Sequence, residues 1–241
     1  MVFALFAPIF AQTSPAAPSH SGLWTFFSNS NTAEQVIISA LALFSLFAWT
    51  IMFGKHYELR RLRLYNLGFQ QMLDAQRALL ELPEGFRVPE RVPYAALFQG
   101  AVEAYWRVDA RHGETDERLM TARLQHAENA LHRAVAAQTL RYESNMVFLA
   151  SIVSSAPFFG LLGTVWGVME AFGAVALQPV ATVQTLAPGV SGALLSTVAG
   201  LLVAIPSLMG YNFLFSRVRQ LSMELENFAS ALADRIELET R

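Results

Sequence analysis

Cysteine is absent from this chain of 241 residues. That excludes disulfides, thiolate catalysis and cysteine-ligated metals. Charge is scarce too: 15% of the residues are Asp, Glu, Lys or Arg, against about a quarter in ordinary soluble domains. A net charge of −2 offers no global basic field for nucleic acid. The histidines are His20, His56, His112, His126 and His132. None has a convincing metal-ligand partner, and His126 and His132 fall on different faces of a helix. No glycine loop with its lysine is present to cradle a phosphate. No catalytic constellation is visible, so the sequence predicts no enzyme, no cofactor and no metal.

What fills the chain instead is apolar: 54% of it is hydrophobic. Gln35 to Gly54 is a run of 20 residues without formal charge, and Ser144 to Met169 is one of 26. After the lone Glu170, Ala171 to Ser216 adds 46 more. A helix crossing hydrocarbon needs about 20 largely apolar residues. The third run is too long for one span, but "LQPVATVQTLAPG" breaks it near its start, and Pro188 is placed to open the next helix. Three membrane spans are predicted, at 34–54, 147–174 and 188–215. Within them there is no aspartate, histidine, lysine or arginine, which excludes an aspartyl dyad or a metal site inside the membrane.

The distribution of Lys and Arg sets the orientation. None precedes the first span, thirteen lie in 55–143, none in the loop 175–187, and four in the tail after 216. The positive-inside rule then places residues 1–33 and 175–187 outside, and 55–146 and 216–241 in the cytoplasm. The first 22 residues resemble a signal peptide but lack its basic start, and are expected to remain as an extracytoplasmic segment. Leucines and aromatics recur at helical spacing in "ELRRLRLYNLGFQQMLDAQRALLEL" and through 115–143. In the tail, Val218, Leu221, Leu225, Phe228, Leu232 and Ile236 share one side. The expected architecture is an all-α integral membrane protein, N-out and C-in, whose long helices extend into a cytoplasmic helical bundle.

Small residues mark one face of each later span. Ala156, Gly160, Thr164, Gly167 and Ala171 follow one another by three or four residues; so do Gly189, Ala193, Ser196 with Thr197, Gly200 and Ala204. Such faces let helix backbones approach closely, and Gly163 with Gly167 forms a further small-xxx-small pair. Pro157 and Pro206 are expected to bend or loosen their helices. Two readings stand for Thr164 and Thr197. Each hydroxyl can satisfy itself on the carbonyl a turn back, or the two can line a shared polar path with Ser196. Two readings also stand for Glu170, near the outer end of the second span: an interfacial acid, or a functional one at the outer mouth of that path.

"APFFGLLGTVWGVMEAF", followed by "LAPGVSGALLSTVAGLLVAIPSLMGYN", resembles the core of the TolQ/ExbB family, more distantly related to the flagellar stator protein MotA. The resemblance covers both long spans and their connecting loop, and the three-span layout also matches. It implies a pentamer in the inner membrane of Gram-negative bacteria, around a dimer of a single-span TolR/ExbD-type partner that carries a membrane aspartate. Proton flow would drive one part against the other and deliver work, such as nutrient import or envelope integrity, to the outer membrane. The family's two pore threonines fall on Thr164 and Thr197.

One position departs from the pattern. Where many relatives read "APGIAEALLAT", this chain reads "APGVSGALLST", with Gly192 in place of the glutamate. The partner is then expected to bring the titrating carboxylate, while this chain brings hydroxyls and small faces. A charge crossing 100 mV is worth about 2.3 kcal/mol, a useful driving step for a group that can carry a proton. The expected function is thus a proton-channel-forming motor subunit. The rivals are a structural membrane scaffold, in which the small-residue faces only pack helices, and a related motility stator.

Overall fold

The computed structural model describes residues 31–80, 88–89, 91–108, 116–176 and 182–240. Among these residues the fold is all-helical: α1 (Thr32–Asp74), α2 (Pro93–Trp106), α3 (Asp116–Glu143), α4 (Met146–Ala176) and α5 (Val183–Thr240). Helices α1, α4 and α5 are long and apolar enough to cross a membrane. The expected signal-like segment 1–22 lies outside the described residues, as does 177–181 of the loop between the last two spans.

Helix α5 begins five residues earlier than the sequence reading has it, so Pro188 lies inside the helix rather than opening it. The start is set locally. Thr182 precedes the first turn and the Thr185 hydroxyl accepts the Thr182 N–H at 3.3 Å. The Thr185 N–H in turn donates to the Thr182 carbonyl at 3.1 Å. That reciprocal arrangement satisfies donors that a helix start otherwise leaves bare.

Helix α1 holds a single buried seam. Glu34, Ile37, Leu41, Ala48, Met52, Lys55, Leu59, Leu62, Asn66, Phe69 and Leu73 are all buried. They recur at steps of three and four, with one step of seven from Leu41 to Ala48, the spacing that keeps one stripe facing its neighbours. The opposite faces carry exposed Leu43, Leu46, Phe47 and Phe53, an apolar exterior that suits lipid or neighbouring subunits.

The described residues form two compact units. The first comprises 31–41, 158–176 and 182–200. Here α4 and α5 meet through small residues, as the sequence predicts. A Cβ built on Gly160 would come within 2.9 Å of the Ser196 carbonyl oxygen and 3.1 Å of the Thr197 Cα. Gly189 lies against Ala171, Gly163 against the Ser196 side chain, and Gly200 faces Gly160. At Gly160 the approach is backbone to backbone, while at Gly163 and Gly189 a side chain of the facing helix takes the space of the missing Cβ.

The second unit comprises the described residues within 42–157 and 201–240, and polar groups pin its helices. Pro157 and Pro206 lie here, each inside a continuous helix. Asn145, with φ of 65°, breaks the chain between α3 and α4. Asparagine adopts that left-handed conformation more readily than other non-glycine residues. Lys55, only 3% exposed, secures the break: its Nζ donates to the Ser144 hydroxyl at 3.1 Å, the Arg141 carbonyl at 3.4 Å and Glu58 at 3.1 Å. Glu58 is well exposed, so the ion pair contributes little and the carbonyl and hydroxyl matter more. Lys55→Met is expected to cost about 1–3 kcal/mol by leaving buried acceptors without their donor. A lowered thermal midpoint of the purified protein would register it.

A second polar cluster joins α1, α2, α3 and α5. The Asn66 amide donates to the Tyr142 hydroxyl at 3.3 Å, and its carbonyl oxygen accepts the Tyr94 N–H at 3.3 Å. Tyr94 follows Pro93 at the start of α2, so Asn66 serves an N–H that the helix itself cannot satisfy. The Tyr94 hydroxyl donates to the Glu224 carbonyl at 3.1 Å, and its ring stacks on Phe228 with centroids 3.9 Å apart. Near the chain end, Glu239 accepts the N–H groups of Leu79 and Leu80 at 2.7 and 3.0 Å, while Arg235 donates to the carbonyls of Leu73 and Gln76. One turn of α5 thus supplies an anion for stray donors and a cation for the carbonyls that end α1.

Burial, reinforced by the Glu224 carboxylate, pushes the Tyr94 phenol up to about 12. Burial also raises Tyr142, against the opposing Asn66 hydrogen bond. Both rings are neutral when folded and hold their protons more tightly than the unfolded chain does. Their stabilisation is therefore full below the ordinary tyrosine value near 10 and is lost as pH rises through the folded value. The thermal midpoint is expected to fall between pH about 10 and about 12. Tyr94→Phe should flatten that fall; a midpoint with the same slope in the variant would contradict this.

Candidate ion-pathway site

Three hydroxyls meet between α4 and α5 in the first unit. Thr164 and Thr197 are in direct hydroxyl–hydroxyl contact. Thr164 Oγ1 also reaches the Gly160 carbonyl at 3.3 Å and the Ala193 carbonyl at 3.2 Å. Thr197 Oγ1 lies 3.2 Å from the Gly160 carbonyl. Ser196 Oγ reaches that same carbonyl at 3.1 Å and the Ala193 carbonyl at 2.7 Å. The glycine at 160 makes this possible, because the backbone approach it permits brings a carbonyl of one helix beside the hydroxyls of the other.

Each hydroxyl has one proton to donate. Three protons therefore face two shared carbonyls and one another, and Thr164 alone has three acceptors for its single proton. Several donor arrangements fit the same heavy-atom positions. A cluster of this kind can reorient its protons without moving its side chains. It cannot release one near neutral pH, since a hydroxyl does not titrate there.

The sequence-derived candidates separate in space. Thr164 and Thr197 come together and are half-buried, so each keeps an open side. Thr164 reaches the carbonyl one turn back, as a self-satisfying hydroxyl does, and also bonds across to α5. Ser196, expected beside them on the polar path, is 0% exposed. Its hydroxyl faces Gly163 and the two carbonyls, which makes it an interhelical packing group rather than a lining one. Glu170 is exposed, and six residues of α4 place it about 9 Å along the axis from Thr164. It does not join the cluster. Gly192 is buried.

Sequence reasoning missed Glu34. It is 1% exposed, and a Cβ on Gly167 would collide with its Oε1. As the last charge before an apolar run it reads as a span boundary. The signal that identifies it is its phase, since it lies three residues before Ile37 and seven before Leu41 on the buried seam. Gly210 was also missed: it makes room for the Met52 sulfur.

Comparison with known proteins places these helices in a family. Over 217 residues the chain is 26% identical to the Tol-Pal system protein TolQ of Pseudomonas aeruginosa, covering 89% of this chain and 92% of that protein. TolQ of Haemophilus influenzae is 29% identical over 84% of this chain and 88% of its own. The biopolymer transport protein ExbB of Pseudomonas putida is 32% identical over 78% of this chain, a match that spans 55% of that longer protein. The model of the MotA/TolQ/ExbB proton channel family matches residues 98–227, more than half of the chain. This multi-pass, all-helical membrane protein belongs to the MotA/TolQ/ExbB proton channel family.

Proposed function

We propose that this chain is the channel-forming subunit of a TolQ/ExbB-like motor in the bacterial inner membrane, coupling the proton motive force to work at the outer membrane. The observation that carries the reading is the Thr164–Thr197 pair, hydroxyls in contact across two apolar helices that could otherwise pack without them. Membership of a proton channel family supports the same reading. The subunit acts as a homo-oligomer, a pentamer by the family's pattern, around a single-span TolR/ExbD-like dimer whose membrane aspartate carries the proton. The excess of Lys and Arg in 55–143 and after 216 supports an N-out, C-in orientation with the charged helices in the cytoplasm. The chain works without cofactor, metal or catalytic turnover.

The arrangement assigns distinct tasks. Gly160, Gly163, Gly167, Gly189 and Gly200 hold the helices close. The threonines offer a reorientable relay to a partner acid at their open side. The scaffold reading has its own support, because Ser196 and the glycines have full packing roles without any flux.

The test is reconstitution with the single-span partner. The complex is weighed by native mass spectrometry, and vesicles containing it are assayed for acidification under an imposed membrane potential. Flux that requires both chains and the potential supports the motor. An assembled complex that passes no protons would move the scaffold reading to the front.

A further inference from the structure

The first unit contains an ionisable group that the division of labour above leaves idle. Glu34 lies in the first turn of α1, yet it is as buried as the leucines of the seam. Its carboxyl fills the space above Gly167: a Cβ there would strike Oε1 and stand 3.1 Å from Cδ. The Ala193 side chain borders the same space, 2.8 Å from that Cβ position. Glycine at 167 is thus the condition for the acid to fit between α1, α4 and α5.

A first-turn acid that only offset the helix dipole could do so from solvent and would need no such recess. Burying an ionised carboxylate among apolar helices is costly, and an acid held inside a span is by default functional. Glu34 also sits next to the hydroxyl cluster. Gly167 follows Thr164 by three residues, about 4.5 Å along α4. Ala193, which flanks the carboxyl with its methyl group, receives the Thr164 and Ser196 hydroxyls on its carbonyl. Among the described residues of this unit the only other charged or titratable group is Glu170 on α4, which is exposed; the facing part of α5 has none.

We propose that Glu34 is a proton-binding site of this chain, seated by Gly167 one helical turn from the Thr164–Thr197 pair. The subunit then holds its own titrating acid, placed to exchange a proton with the relay that the partner's carboxylate meets on its other side. Only the flux arm of the test rests on the channel reading; the proton-binding arm stands without it.

The experiment uses the full chain in phospholipid vesicles and dicyclohexylcarbodiimide, an apolar reagent for protonated carboxyls. Peptide mass spectrometry is expected to find the adduct on Glu34, in a yield that falls as pH rises and is unchanged by sodium at fixed pH. Gly167→Ala, whose methyl group takes the carboxyl's place, should change that pH profile while Glu34 itself is retained, which keeps the test open if Glu34→Gln does not fold. In the assembled complex Glu34→Gln should lower proton flux at least tenfold, with Glu34→Asp restoring part of it. An unlabelled Glu34, a yield independent of pH, or protection by sodium would overturn the proposal. So would native flux in a folded Glu34→Gln complex. A native complex that passes no protons while Glu34 still labels with pH dependence would remove the channel reading and leave the proton site in place.

Discussion

Replacing Thr164 with valine is expected to lower proton flux through the assembled complex roughly a hundredfold, the scale of losing one positioned proton-transfer group, with little change in assembly. Valine keeps the branched shape and removes only the hydroxyl. The Gly160 carbonyl keeps contacts from Ser196 and Thr197, and the Ala193 carbonyl keeps Ser196. No buried acceptor is stranded, so the stability change should stay within about 1 kcal/mol. Thr197→Val should behave alike, because either change interrupts the hydroxyl–hydroxyl contact. The double variant should lose little more than either alone, as expected of groups that act as one unit. Serine at either position restores the proton and should restore most of the flux. Native flux in a folded Thr164→Val complex would show that these hydroxyls only pack.

The second large effect concerns Gly160. Even an alanine there brings Cβ to 2.9 Å from the Ser196 carbonyl oxygen and 3.1 Å from the Thr197 Cα. Neither atom belongs to a flexible side chain, so the two helices themselves must separate. Gly160→Ala should cost about 1–3 kcal/mol, the usual penalty of overpacking. Gly160→Leu should prevent α4 and α5 from packing and leave little protein that survives purification. Gly173 is the control on the same helix, because a Cβ there meets nothing within 4 Å. Gly173→Ala should be neutral. Equal yields from Gly160→Leu and Gly173→Ala would refute the close approach.

The long apolar helices and the meeting of α4 with α5 were legible because both rest on local periodicity. Uncharged runs reveal a helix that lipid can surround, and small residues at steps of three and four reveal a face. The Thr164–Thr197 pair followed, since each lies on such a face. The full burial of Ser196 beside a half-buried Thr197 was not legible, because adjacent positions on a helix differ by about 100° and spacing alone does not say which faces further inward. Glu34 and Lys55 were read as the edges of an apolar run, when their phase puts both in the buried seam. Arg141 and Ser144, which hold Lys55, and Tyr142, which bonds Asn66, lie more than seventy positions away along the chain. No local pattern announces partners at that separation. Pro188 misled because a proline commonly opens a helix, whereas Thr182 and Thr185 already supply a start upstream.

The seam of α1 has a mechanical consequence. Glu34, Lys55 and Asn66 interrupt it at unequal intervals, and each fits a particular recess or partner. A slide of α1 by one heptad would bring Leu41, Leu62 and Leu73 to the places of these three polar residues. The hydrogen bonds of Lys55 and Asn66 to other helices would be lost together, and an ammonium and an amide would be driven against packing built for Ala48 and Leu59. Polar residues in an apolar seam fix register in this way. Helix α1 is therefore keyed against sliding like a piston. Whatever displacement proton entry produces must be taken up by tilt, by rotation, or by the partner chain.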